Sequence, residues 1–136
     1  MSQTPLIMCV EDDAPVREAI KGLLVSLGFA AEVFSSAEEV IQSSRLSETS
    51  CLITDVQLRG MSGIELQHRL VALGHRIPTI VITAFPDERI RAQALSAGAV
   101  CFLYKPITKD ELVNCIDSAL NRRSGGAKPG PGEGQQ

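Results

Sequence analysis

Five short apolar runs, each followed by turn residues and then by a stretch with helical spacing, constrain the fold of this chain more than any other feature. They are Leu6–Val10, Phe29–Phe34, Cys51–Asp55, Pro78–Thr83 and Val100–Tyr104. Runs of this length bounded by Gly, Pro or charge read as strands, and the most apolar of them as strands buried on both faces. A crossover long enough to hold a helix returns the chain in the same direction, so the alternation predicts parallel pairing and an α/β architecture.

The intervening segments carry their own start and stop signals. Asp13 is placed to cap a helix with Pro15 in its first turn. Val16, Ile20, Leu23, Leu24 and Leu27 then form one apolar stripe, and Gly28 suits a left-handed stop. Three capping boxes, Ser36 with Glu39, Ser62 with Glu65 and Thr108 with Glu111, open further helices. The first runs to about Arg45 and is followed by a polar loop over Ser47–Ser50. The second carries Ile64, Leu66, Leu70, Val71 and Leu73 and ends at Gly74. The third presents Leu112, Ile116, Ala119 and Leu120 on one side. The segment from about Asp87 to Ser96 is polar and weakly patterned, which predicts a mobile or partner-facing helix. Phe29–Phe34 is the least apolar strand and is expected near an edge.

Length and composition bound the function. A chain of 136 residues holds one domain with one core. No apolar run approaches the roughly 18 residues needed to span a bilayer, and the N-terminus lacks the pattern of a secretory signal, so a cytoplasmic location is expected. Cys9, Cys51, Cys101 and Cys115 are scattered, with no metal-ligand spacing, and are expected as reduced, buried thiols. His68 and His75 have no neighbouring ligand set and read as surface residues. Residues 1–121 hold 10 Lys/Arg and 15 Asp/Glu, a net −5 that argues against nucleic-acid binding by the folded part. Residues 1–4 read as a tail, 5–121 as the domain, and 122–136 as a flexible Gly/Pro-rich tail or the start of an interdomain linker, because that end has almost no apolar residue to bury.

In a parallel sheet the carboxyl ends of all strands share one edge, where ligands bind. The residues that end four of the strands here are Glu11-Asp12, Asp55, Thr83 and Lys105. Singly, each is more often structural: acidic turns cap helices, Thr is common at strand ends, and Lys-Pro is a frequent loop dipeptide. Jointly they resist that reading, since clustered buried carboxylates without a counter-ion cost several kcal/mol. Hard oxygen donors of this kind suit Mg²⁺, or Mn²⁺, together with phosphate oxygens. A carboxylate beside such an ion, faced by an ammonium and a hydroxyl, is an arrangement for phosphoryl transfer in which Asp55 attacks in line and becomes an acyl phosphate.

The motifs Val10-Glu11-Asp12-Asp13, Thr54-Asp55 followed by Gly60-Met61-Ser62-Gly63, Ile82-Thr83-Ala84, and Phe102 ahead of Lys105-Pro106 resemble those of the receiver domain of bacterial two-component response regulators. The resemblance covers about residues 5–121. It implies a flavodoxin-like, doubly wound sheet of five parallel strands in the order 2-1-3-4-5 with five helices. It also implies Asp55 as phospho-acceptor, Mg²⁺ held by Glu11, Asp12, Asp55 and the main-chain carbonyl of Gln57, Lys105 pairing with the phosphoryl group, and Thr83 with Phe102 as the switch pair. Such a domain is not an enzyme in the ordinary sense, although it catalyses its own phosphorylation and slow dephosphorylation. Two departures stand out: Glu11 where Asp is commoner, implying a longer or water-mediated metal contact, and Arg59 where Pro is usual.

Pro15-Val16-Arg17, Gly98-Ala99-Val100 and Phe102 resemble the FixJ-like branch, whose receivers are joined to a helix-turn-helix domain of the LuxR type. That resemblance implies a sensor histidine kinase as partner, transcription as output and DNA contact only through a domain outside this chain. Cys101 and Tyr104 replace residues that are often acidic, which favours phosphorylation-dependent self-association through the fourth helix and fifth strand. The alternatives are a stand-alone receiver acting by protein contacts and a small Mg²⁺-dependent phosphohydrolase. The latter would place its nucleophile where Glu11 stands and lacks a cap domain here; neither dinucleotide nor P-loop glycines follow the first strand.

Overall fold

The computed structural model describes residues 4–125. Strands β1 (Leu6–Val10), β2 (Ala30–Phe34), β3 (Thr49–Asp55), β4 (Thr79–Thr83) and β5 (Ala99–Tyr104) alternate with helices α1 (Ala14–Ser26), α2 (Ala37–Ile41), α3 (Gly63–Ala72), α4 (Glu88–Ser96) and α5 (Lys109–Gly125). The sheet is parallel throughout, in the order β2-β1-β3-β4-β5. β1, β3 and β4 lie inside it and are buried almost along their whole length, whereas β2 is half-buried at an edge. The apolar density of each run thus reports its position in the sheet.

Alternation of side chains across the sheet feeds two faces. One packs Ile7, Cys9, Cys51, Ile53, Ile80 and Ile82 against α1 and α5. The opposite face packs Met8, Val10 and Leu52 against α2 and α3, with a smaller cluster of Val81, Ala94 and Ala99 beneath α4. All four cysteines are free; Cys9, Cys51 and Cys115 are buried, but Cys101 is only half-buried because β5 is the other edge. Burial pushes the Cys51 thiol up to about 12, so it behaves as a small apolar side chain at neutral pH.

The caps follow the sequence closely. Asp13 accepts from the Val16 N–H, and Asp87 from those of Arg89 and Ile90. Thr108 and Glu111 form a complete reciprocal box. Ser36 accepts from Glu39 N–H, but Glu39 reaches Ser35 rather than Ser36, at 2.9 Å. Gly28, Gly74 and Gly98 each take positive φ just after a helix, a conformation that side chains with a Cβ resist.

Four expectations are corrected. α2 ends at Ile41 instead of near Arg45, because Ser43 uses its hydroxyl to accept the Arg45 N–H and so competes with the helix. The stretch expected as a polar loop is a short 3-10 turn at Leu46–Glu48 followed directly by β3, whose first residue Thr49 is buried and donates to Arg45 C=O. Val71 on α3 and Leu73 at its C-cap are exposed, and the buried position beside Leu66 and Leu70 is taken by polar Gln67. α5 continues to Gly125, past the expected boundary at Asn121. Residues 1–3 and 126–136, most of the expected tails, lie outside the described residues.

Candidate functional site

Register decides which residues meet at the carboxyl edge. Val10 is paired with Thr54, Asp55 with Ile82, and Thr83 with Tyr104, so Glu11, Asp55, Thr83 and Lys105 come to adjacent strand ends. Lys105 is anchored there by its own backbone, which donates to Thr83 C=O at 2.8 Å across a turn containing a cis Lys105–Pro106 bond.

Oxygens of Glu11, Asp12 and Asp55 lie within 4.8 Å of one another. Glu11 and Asp55 are buried and Asp12 is half-buried. The Lys105 ammonium bridges the two buried members, 2.6 Å from Asp55 Oδ2 and 2.8 Å from Glu11 Oε1. The other oxygen of each carboxylate accepts a backbone N–H: Asp55 Oδ1 from Gln57 at 3.1 Å, Glu11 Oε2 from Asp13 at 3.1 Å. Arg17 on α1 donates to the Glu11 carbonyl at 2.8 Å and fixes the turn after β1.

Burial dominates the electrostatics of Glu11 and raises its pKa, opposed by the hydrogen bonds from Lys105 and the Asp13 N–H. Its charge therefore costs stability at neutral pH, and the cost is relieved as pH falls through its folded pKa. Burial alone would depress the Lys105 ammonium, but its bonds to Asp55 and Glu11 together outweigh that and leave its pKa raised. A lysine held between two carboxylates stays protonated and marks where further negative charge can be accommodated.

Thr83 is fully buried and sits one step away. Its hydroxyl donates to Gln57 Oε1 at 2.8 Å and accepts the Phe85 N–H at 3.1 Å. The loop after β3 is drawn tight by Thr54, which donates to Asp55 C=O at 3.0 Å, and by Gly63, where a Cβ would stand 2.2 Å from that same carbonyl oxygen. Gly60, at positive φ, packs against the Glu38 carboxylate, which also accepts the Met61 N–H. Arg59 is exposed on this loop and leaves its fold intact. Phe102 is not brought to the carboxylates: it joins the cluster beneath α4 and stacks edge-on against Tyr104, with ring centres 5.5 Å apart.

The structure brings Glu11, Asp12, Asp55, Thr83 and Lys105 to one edge, as expected from the strand ends, with Gln57 beside them. Sequence reasoning misses the Gln57 side chain, whose link to Thr83 spans 26 residues, and it misses Arg17 and Glu38 as supports. Gln57 looks like an exposed loop residue, and only its position two after a strand-ending Asp is a signal. The donor set itself fits a hard divalent ion: three carboxylates converge, one of them half-open to solvent, and among the described residues no thiol or imidazole joins the cluster.

A doubly wound parallel sheet with this acid cluster and bridging lysine at its carboxyl edge defines a class of phosphoryl-handling signalling domain. The family model "Response regulator receiver domain" matches residues 7–117, and the chain belongs to that family. Similar relatives include Nodulation protein W of Bradyrhizobium diazoefficiens, 38% identical over 121 residues, covering 89% of this chain and 53% of the relative. Response regulator protein TodT of Pseudomonas putida is 39% identical over 115 residues, with 85% and 51% covered. Transcriptional regulatory protein FixJ of Bradyrhizobium diazoefficiens is 33% identical over 122 residues, with 90% and 60% covered. Among solved structures, response regulator StyR superposes with a TM-score of 0.83 at 38% identity, covering 90% of this chain and 62% of that one. The chain spans little more than half the length of the curated relatives it matches. It is thus a receiver domain homologous to those of transcriptional response regulators.

Proposed function

We propose that the chain accepts a phosphoryl group on Asp55 from a phosphohistidine of a sensor kinase, in the cytoplasm, and relays the event to a transcriptional output. The observation that carries this reading is the Lys105 ammonium, seated 2.6 Å from Asp55 and 2.8 Å from Glu11. In the transfer an Asp55 oxygen forms a bond to phosphorus, the P–N bond to the donor imidazole breaks, and the imidazole nitrogen keeps the electron pair and takes up a proton. Lys105 neutralises charge on the incoming oxygens. Glu11, Asp12, Asp55 and the Gln57 carbonyl would hold Mg²⁺, which supplies charge neutralisation and orientation when bound. The protein's part in hydrolysis of the acyl phosphate is to admit water slowly past exposed Ala84.

Thr83 supports the readout. Its hydroxyl is engaged by Gln57 Oε1, and a phosphoryl oxygen on Asp55 competes for the same proton. Transfer of that hydrogen bond pulls the Thr83–Phe85 loop inward and frees Phe102 to repack beneath α4, altering the face formed by α4 and β5. That face exposes Leu95 and Tyr104, with Phe85 beside it on the loop ahead of α4, and this supports phosphorylation-dependent homodimerisation. An apolar groove of about 550 Å³ between α1 and the turn after β5 opens beside Lys105 and suits a donor protein that must approach Asp55. Incubation with a small phosphodonor and Mg²⁺ should give a base-labile label that is absent from Asp55→Asn and falls when Mg²⁺ is chelated. A label that survives Asp55→Asn contradicts the reading.

A further inference from the structure

Helix α4 is attached to the rest of the domain chiefly through Ala94. This is its single buried residue, and its methyl group packs in the small cluster with Val56, Val81 and Ala99, with half-buried Ile90 one turn earlier. The Ala94 carbonyl stands in the last turn of the helix, where the backbone closes elsewhere. The Ala97 N–H donates to Gln93 C=O at 2.9 Å and the Gly98 N–H to Leu95 C=O at 3.0 Å. Ala94 C=O is thus among the carbonyls that a helix end leaves unsatisfied. Gln67 of α3 supplies the donor: its Nε2 reaches this oxygen at 3.1 Å.

The carboxamide that makes this bond is itself only half satisfied. Gln67 is 3% exposed, and a carbonyl can only accept, so the amide cannot flip without losing Ala94. Its Oε1 is sealed from solvent and is the one buried side-chain polar atom among the described residues without a hydrogen-bond partner. The bond to Ala94 therefore comes with an orphaned acceptor, whose desolvation offsets it. When α4 draws away, the carboxamide and the Ala94 carbonyl both become free to meet water. We propose that Gln67 is a positioning residue for the switch, latching the last turn of α4 onto α3, with its unpaired Oε1 making that latch weak enough to release. Val56, next to Asp55, lies in the cluster that holds Ala94, and the loop after Thr83 leads into α4, so a shift at the carboxyl edge bears on the latch. That coupling rests on the proposed phosphorylation of Asp55; the latch itself does not.

Gln67→Met keeps the volume, removes the donor together with the orphan, and leaves Ala94 C=O without its partner. Amide exchange followed by NMR on the full chain should quicken at Ala97 and Gly98 by about fivefold in Gln67→Met and in Gln67→Ala, the weight of one net hydrogen bond. Exchange at Met8 and Ile53 in the central strands, and the unfolding midpoint of Gln67→Met, should stay near wild type. Trifluoroberyllate with Mg²⁺, a reversible stand-in for the phosphoryl group, should bind Gln67→Met more tightly by up to about the same factor, because release of α4 and occupation of Asp55 favour each other. A wild-type chain that does not bind it contradicts phosphorylation at Asp55, and the exchange data alone then decide the latch. Exchange in α4 that is unchanged in both variants, or quickened equally in the central strands, shows Gln67 to be ordinary packing and overturns the proposal. Equal trifluoroberyllate affinity of wild type and Gln67→Met overturns the coupling.

Discussion

Thr83 and Lys105 show how much of the site is decided by single side chains. Thr83→Ala leaves Gln57 Oε1 and the Phe85 N–H without their shared partner. Denaturant unfolding should register a loss of about 1 kcal/mol, small because Gln57 is exposed and can turn to water. Lys105 yields a prediction in pH. An ammonium whose folded pKa is raised stabilises the fold below its ordinary value of 10.5 and loses that contribution as pH climbs through the folded value. The wild-type unfolding midpoint should therefore drop more steeply above pH 10.5 than that of Lys105→Met, and parallel profiles would show that the ion pairs carry no net weight. The acids, the Thr and the Lys were legible beforehand because topology alone brings strand ends together. The Gln57–Thr83 bond was not, because a flexible amide in a loop chooses its partner by tertiary packing that no local pattern encodes.

Glycine positions test the elements. Gly63 opens α3 with no room for a methyl group, since a Cβ would meet the Asp55 carbonyl oxygen at 2.2 Å and neither backbone can retreat without disturbing β3. Gly63→Ala should cost about 3 kcal/mol or more by displacing the loop that carries Gln57. Gly22 lies in the exposed middle of α1 with nothing within 4 Å of a would-be Cβ, so Gly22→Ala should stabilise by about 0.5–1 kcal/mol. Thermal unfolding of the two variants checks both signs. Strand runs and caps were readable because burial on both faces and side-chain capping leave local signatures. The early end of α2 was hidden because Ser43 and Ser44 are compatible with helix or turn. The burial of Gln67 was hidden because its only bond crosses to α4, 27 residues away.

At the scale of the whole molecule, the carboxylates and Lys105 sit at the carboxyl edge of the sheet, and Thr83 and Tyr104 end β4 and β5 at that same edge, beside α4. Helix α4 has a single buried residue, Ala94, so little apolar area holds it and small changes at Thr83 can move it. Sedimentation of the phosphorylated chain should show dimer where the unmodified chain is monomer, and Tyr104→Glu should remove the dimer while labelling persists. Dimerisation that is unchanged by Tyr104→Glu would place the interface elsewhere. The matching relatives are nearly twice as long as this chain.

The most direct test of the account is to locate the phosphoryl group itself. After exposure to a small phosphodonor with Mg²⁺, intact mass followed by fragmentation should place one phosphoryl group on Asp55, with Lys105→Met strongly reduced and Asp55→Asn unmodified. A phosphoryl group found on Asp12 or Glu11, or equal modification of Lys105→Met, would contradict it.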